Sequence, residues 1–258
     1  MLDQLRDHLR QLTAIPGISG HEDPIIRHMA AALQPYAREL RIDALGNVIA
    51  RTGRGGGPRI AVLVHIDTIG LMVQRPLGPG LFGVVPVGGV NLKALPGAAL
   101  QFHTEQGAFA GVVGVRSQHL ARPGDLERSM EDIYVQLLDV AAPVEITTPV
   151  TYAPAFYAAD EIISAPYLDN RAGCAVLLEL AAHCADLPAE IYLVGTVQEE
   201  TTGSGAHLAL AAIQPDAAIF VDAALSHDTP DTARFGAVRL GAGPVLIAYL
   251  YEIGRAHV

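Results

Sequence analysis

Six side chains of this sequence have types and positions that could do chemistry together: His65, Asp67, Asp169, Glu199, Glu200 and Asp222. His65 and Asp67 follow the apolar run 60–64, Glu199-Glu200 end the run 191–197, Asp222 follows 217–221, and Asp169 precedes an apolar helical stretch. In open α/β sheets functional groups gather beyond the carboxyl ends of the strands, so these residues are expected at one sheet edge. Crowded there, the acidic groups repel one another or take up protons unless a cation sits among them. A divalent metal ion removes that cost. Asp67, two residues after His65 and on the same strand face, is placed to orient the imidazole of a ligand histidine. Singly, each residue has a plainer reading: a histidine filling space, a solvated Glu-Glu pair, an aspartate capping a turn. Joint placement after successive core strands favours the metal centre.

The elements that must position these residues are legible in the apolar spacing. Leu2, Leu5, Leu9 and Leu12 predict an amphipathic helix stopped by Pro16-Gly17. A second helix is expected with Asp23 as N-cap, Pro24 at its first position, and Ile25, Met29 and Leu33 on its apolar face. Residues 40–43 and 48–51 flank Leu45-Gly46-Asn47 as strand, tight turn and strand. The run 60–64 is continuous enough for a strand buried on both faces. From 73 to 162 the texture changes to short β-like pieces broken by glycine and proline, after which helix 170–185, strand 190–197, helix 203–213 and strand 217–221 alternate. The expected fold class is α/β, a mixed, largely parallel sheet flanked by helices with an inserted all-β domain. The expected segments are 1–72 and 163–251 for the α/β domain, interrupted by 73–162. Residues 252–258 read as translated sequencing-adaptor sequence and are set aside.

Composition narrows the class. With 258 residues, half of them apolar and 17% charged, the chain can bury a sizeable core and is not disordered. Seventeen basic residues against 27 acidic give a formal charge of −10, which argues against nucleic acid and anionic membranes as partners. No apolar run is long enough for a membrane span, and the first residues lack a basic segment followed by an apolar one, so a cytoplasmic protein is expected. Cys174 and Cys184 are expected as reduced thiols in the core.

The sequence resembles the co-catalytic metallo-aminopeptidases that assemble into tetrahedral shells, a group including glutamyl, leucyl and deblocking aminopeptidases and some proteins once described as endoglucanases. The resemblance runs in order through Ile18-Ser19-Gly20-His21-Glu22, Asp43-Ala44-Leu45-Gly46-Asn47, His65-Ile66-Asp67-Thr68-Ile69-Gly70, Leu168-Asp169-Asn170-Arg171-Ala172-Gly173, Val197-Gln198-Glu199-Glu200 and Gly241-Ala242-Gly243-Pro244. It implies a zinc-exopeptidase-like fold holding two divalent ions per subunit, zinc or cobalt. Asp169 would bridge the ions, His65 and Asp222 would complete one, Glu200 would serve the other, and Glu199 would be the general base, with Asp67 supporting His65. The β-rich segment would serve dimerisation and assembly, up to a dodecameric shell, and the substrates would be peptides cut at their N-terminal residue.

The sequence departs from that pattern in several places. No histidine in a His-Ser-Pro-like context follows Asp222, which suggests a chain lacking the last part of the catalytic domain; Asn170 stands where an aspartate is frequent, and Thr202 where a glycine is common. Two other functions remain open at this stage: a metal-dependent deacylase of small N-acyl substrates, and a non-catalytic metal-binding or assembly subunit. Gly78-Pro79-Gly80-Leu81-Phe82-Gly83 has nucleotide-loop spacing but is followed by β-like residues where a helix is required.

Overall fold

The computed structural model describes residues 2–114, 118–120, 133–159 and 162–246; the reading of 252–258 lies outside them. The first part of the chain forms α1 (Leu2–Leu12), α2 (Asp23–Leu33), β1 (Glu39–Ile42), β2 (Val48–Thr52) and β3 (Arg59–His65). Six strands follow: β4 (Gly70–Gly78), β5 (Leu81–Val87), β6 (Ala99–Thr104), β7 (Gly107–Val113), β8 (Tyr134–Leu137) and β9 (Pro149–Tyr152). A ribbon of β10 (Tyr157–Ala159) and β11 (Ile162–Ser164) leads into α3 (Leu168–Ala181), β12 (Glu190–Thr196), α4 (Ser204–Ile213) and β13 (Ala217–Phe220).

Five strands form one sheet in the order β1-β2-β12-β3-β13. β3 runs parallel to both β12 and β13, whereas β2 is antiparallel to β1 and to β12. The sheet is therefore mixed in equal parts and not largely parallel, for a local reason. One carboxylate oxygen of Asp43 accepts the N–H groups of Leu45, Gly46 and Asn47, and Gly46 adopts φ +113°, a left-handed conformation that glycine enters without steric cost. A turn that tight can join only antiparallel strands.

Alternating side chains of β3 divide the core between the two sheet faces, as the two-residue period of a strand requires. Val62 and Val64 pack with Leu12, Ile25, Met29, Leu33, Leu177 and Leu178 from α1, α2 and α3. Ala61 and Leu63 pack on the other face with Ala209 and Ile213 of α4. Helix α2 begins after Glu22, not Asp23, and Glu22 makes no capping bond. Its buried carboxylate reaches across the fold and accepts the Gln198 N–H at 3.2 Å. Cys174 and Cys184 are buried and free, with Cys184 beyond the end of α3.

Strands β4-β5-β8-β7-β6-β9 close into an antiparallel barrel. Closure removes free strand edges, and Leu71, Val73, Val84, Leu100, Phe102, Val135 and Val150 fill the interior. The expected boundary between 72 and 73 falls inside β4. Residues 223–246 belong to a separate compact unit. Within it the His227 N–H donates to the Val238 carbonyl, and Leu240 N–H donates to the Asp228 carboxylate. Among the described residues no helix is long and apolar enough to cross a membrane.

One junction couples these elements to the sheet edge that carries the acidic residues. The fully buried Asn47 side chain donates to Asp43 and to the Gly205 carbonyl and accepts the Val197 N–H, tying the β1–β2 turn to the end of β12 and the start of α4. Gly205 has to be glycine, because a Cβ there would lie 2.2 Å from the Val197 carbonyl oxygen and 2.7 Å from the Asn47 side-chain oxygen. Gly205→Ala should lower stability by about 1–3 kcal/mol, the usual range for overpacking a rigid site. Urea unfolding checks this, and a midpoint equal to that of the parent would contradict the packing argument.

Candidate metal centre

His65 is the last residue of β3 and is 5% exposed. Its Nε2 lies 3.0 Å from Asp169 Oδ1, 3.5 Å from Asp222 Oδ1 and 4.0 Å from Glu199 Oε2. One ligand atom each from His65, Asp169 and Asp222 falls within 4.8 Å of the others. Four ligands about 2.1 Å from a tetrahedral ion stand about 3.4 Å apart, so the spacing and the nitrogen–oxygen donor set fit a divalent cation such as zinc. Glu200 is outside this trio and shares with Asp169 a cavity of about 430 Å³.

Local backbone geometry presents each group. Asp169 and Asn170 depart from helical dihedrals at the head of α3, following Tyr167 at φ +66°. Asn170 accepts the Gly173 N–H and donates its amide to the Val221 carbonyl at 2.8 Å, fixing the backbone beside Asp222. An aspartate could not make that second bond, so the amide at this position has its own use. Gln198, also left-handed at φ +59°, turns the chain so that the N–H groups of Glu199 and Glu200 point at the two carboxylate oxygens of Asp67, at 3.0 and 3.1 Å.

Asp67 therefore does more than face the imidazole. Its carboxylate is fully buried and also accepts a hydrogen bond from the Ser19 hydroxyl. His65 Nδ1 is 3.2 Å from the Asp67 backbone carbonyl and 3.6 Å from its carboxylate. A proton on Nδ1 leaves the Nε2 lone pair facing Asp169 and Asp222.

The electrostatics ask for a positive charge at this point. Burial opposes charging of His65, but hydrogen bonds to Asp169, Asp222 and Asp67 outweigh it and push its pKa up to about 12. Burial likewise opposes charging of Asp67, and its bonds to His65, Ser19 and the two N–H groups win, holding it below the ordinary carboxylate value. Glu200 is pushed up to about 7 by burial and by the charges of Asp169, Asp67 and Glu199, against the attraction of His65. Glu199 is raised by burial and by Asp222, Asp67 and Asp169, with His65 again opposing.

Of the six residues picked out by type and position, the structure brings His65, Asp169 and Asp222 within ligand distance, puts Glu199 at their edge, sets Asp67 behind them and places Glu200 across the neighbouring cavity. Four supporting residues, Ser19, Glu22, Asn47 and Arg171, lie in the segments that carry the family resemblance, but neither their type nor their spacing shows what they hold. Arg171 is fully buried and donates to the carbonyls of Ile66 and Ile15, holding the segment between His65 and Asp67. Their partners lie from 48 to 176 positions away, except for the local Asp43–Asn47 bond, so spacing along the chain does not reveal them.

In the metal-free protein His65 carries a proton at neutral pH, and an ion that takes Nε2 must displace it. Zinc binding at pH 7 should release about one proton from His65, and affinity should rise about tenfold per pH unit between pH 6 and 8. Calorimetry in buffers of different ionisation enthalpy measures the release, and binding with no proton exchange would contradict the site.

Residues 46–253 match the profile of the M42 glutamyl aminopeptidase family. A lysyl aminopeptidase of Pyrococcus furiosus is 35% identical over 249 residues, covering 92% of this chain and 71% of that protein. An aminopeptidase of the archaeon Desulfurococcus kamchatkensis superposes with a TM-score of 0.86 at 26% identity, over 94% of this chain and 69% of that one. The TET1 peptidase of Pyrococcus horikoshii, described as assembling into a tetrahedron or a large octahedral shell, matches with a TM-score of 0.77 at 27% identity, over 88% and 72% of the two chains. The chain spans between 64% and 73% of the length of five curated aminopeptidase relatives. Motif order, the composition of the acidic cluster and these matches agree that the chain belongs to the M42 glutamyl aminopeptidase family of peptide-bond hydrolases.

Proposed function

We propose that this protein is a metal-dependent aminopeptidase that removes N-terminal residues from peptides, with His65, Asp169 and Asp222 holding one divalent ion, Asp169 and Glu200 contributing to a second, and Glu199 acting as general base. The observation that carries the reading is the trio of His65, Asp169 and Asp222 within 4.8 Å of one another, with Glu199 4.0 Å from the imidazole. Two such ions, zinc or cobalt, supply polarisation of the scissile carbonyl and a water of lowered pKa.

The chain's own residues account for the rest. Glu199 lies at the edge of the trio, and its raised pKa makes it a stronger proton acceptor than an exposed carboxylate. It takes a proton from the attacking water as the oxygen bonds to the carbonyl carbon. It then returns that proton to the departing amine as the C–N bond breaks, so the products are one amino acid and a peptide shortened by one residue. Asp67 fixes both ends of the arrangement, since the same carboxylate that accompanies His65 anchors the backbone of Glu199 and Glu200. The barrel, whose strands fall between β3 and α3 in chain order, is the proposed surface for self-association into dimers and larger shells. The shell described for the P. horikoshii relative supports this use.

Two measurements test the reading. With zinc or cobalt added, the protein should hydrolyse aminoacyl p-nitroanilides and leave their N-acetylated forms intact; the reverse preference would establish a deacylase. Glu199→Gln should lower kcat by about 10²–10⁴-fold, the usual contribution of a positioned base. It should retain the ion at His65, because Glu199 is not one of the three ligands. Full turnover in that variant would remove the assigned base, and stoichiometric metal binding without turnover of either substrate class would point to a non-catalytic subunit.

A further inference from the structure

We propose that Glu22 is a positioning residue for the general base, and that it acts by the reach of its carboxyl oxygen and not by its charge. This rests on the reading of Glu199 as the base of an aminopeptidase and deepens it. Three consecutive backbone N–H groups in the turn after β12 are taken up by two buried carboxylates. Glu22 accepts that of Gln198 at 3.2 Å, and Asp67 accepts those of Glu199 and Glu200 at 3.0 and 3.1 Å. The Gln198 carbonyl in turn accepts the N–H groups of Thr202 and Gly203 at 3.1 and 2.8 Å. Both polar groups of the Gln198 backbone are therefore tied down, and Glu22 provides the tie on the side that leads into the base.

One short segment fixes the two carboxylates relative to each other. Ile18 pairs with Thr68 in an isolated parallel bridge. The Ser19 N–H donates to the Thr68 carbonyl at 3.2 Å, and the Thr68 N–H donates to the Gly17 carbonyl at 2.9 Å. The Ser19 hydroxyl donates to the Asp67 carboxylate. The His21 N–H then closes a turn on the Ile18 carbonyl at 2.8 Å. Segment 17–22 is thus fastened to the loop that carries His65 and Asp67, and it extends one side chain, Glu22, to the turn that carries Glu199.

Charge is not what this position gains. Burial raises the pKa of Glu22 and the neighbouring Asp67 adds to the rise, against backbone N–H groups that favour the ionised form. The side chain neither caps α2, which it directly precedes, nor reaches solvent, being only 6% exposed. Its accepting oxygen is directed across the fold at the Gln198 N–H. Withdrawing that oxygen leaves a buried donor without its partner and frees the turn to shift, and a displacement of about 1 Å in a reacting group can cost about 10² in rate.

Two substitutions separate reach from charge. Glu22→Gln keeps the length and an accepting oxygen and loses the charge, whereas Glu22→Asp keeps the charge and is one methylene shorter. With zinc or cobalt loaded and aminoacyl p-nitroanilides as substrates, Glu22→Gln should keep kcat within about threefold of the parent, while Glu22→Asp should lower it by about 10–100-fold. KM in Glu22→Asp should stay within about twofold of the parent, the pattern of an interaction made only in the transition state. In the metal-free protein, amide hydrogen exchange at Gln198 should quicken by about tenfold or more in Glu22→Asp and not in Glu22→Gln, with β12 exchanging at the parent's rate in both. Parent-like kcat in Glu22→Asp, or an equal loss in Glu22→Gln, would overturn the inference and leave the aminopeptidase reading standing. Faster exchange spread through β12 would mark general destabilisation and overturn it as well. If Glu22→Asp fails to fold, Glu22→Gln decides: parent-like kcat and Gln198 exchange uphold reach over charge, and a change of about tenfold in either overturns it. A parent that cleaves no free-amine substrate would overturn the aminopeptidase reading and this role together.

Discussion

An imidazole buried at the end of a core strand and ringed by carboxylates is stable with a positive charge either on it or bound beside it. His65 faces Asp169 and Asp222 on one side and Asp67 on the other, and each of those groups is more stable beside a positive charge. The proton on His65 meets that need in the metal-free chain, and a divalent ion meets it better because it can bond to several oxygens at once. Much of the surrounding fold can be understood as what keeps these mutually repelling groups at one point.

The supports are arranged in layers. β3 and β12 lie parallel and in register, so His65 sits beside Thr196 and both strands release their chains at the same sheet edge. Asp67 then accepts N–H groups from the loop that follows β12, and the Ser19 hydroxyl reaches it from the segment between α1 and α2. Arg171 grips the carbonyls of Ile66 and Ile15 from inside α3. A buried guanidinium makes such bonds strong, and its loss leaves two carbonyls unsatisfied. Helix α3, three loops and two strands thus share one network behind the ligands.

What the sequence made legible follows from distance along the chain. Apolar spacing located α1, α2, β3, α3 and β12 to within a few residues because helical and strand periodicity is local. The acidic residues and His65 stood out because each sits next to such a run. The antiparallel half of the sheet was harder to read. Its hairpin was legible as strand, tight turn and strand around Leu45-Gly46-Asn47, but which edge of β12 that hairpin joins is not written in periodicity. Glu22 illustrates the same limit: by position it reads as part of a helix start, while in the fold its carboxylate caps the Gln198 N–H from 176 residues away. Ser19, Asn47 and Arg171 act through similar cross-fold bonds; the segments that contain them carry the family resemblance, but nothing in the sequence names their partners.

The most direct test of the account is anomalous diffraction from crystals of the protein grown with zinc. The expected result is an ion bonded to His65 Nε2 and to carboxylate oxygens of Asp169 and Asp222 at about 2.0–2.2 Å. A zinc-replete crystal whose anomalous signal lies elsewhere, with those three side chains turned apart, would contradict it.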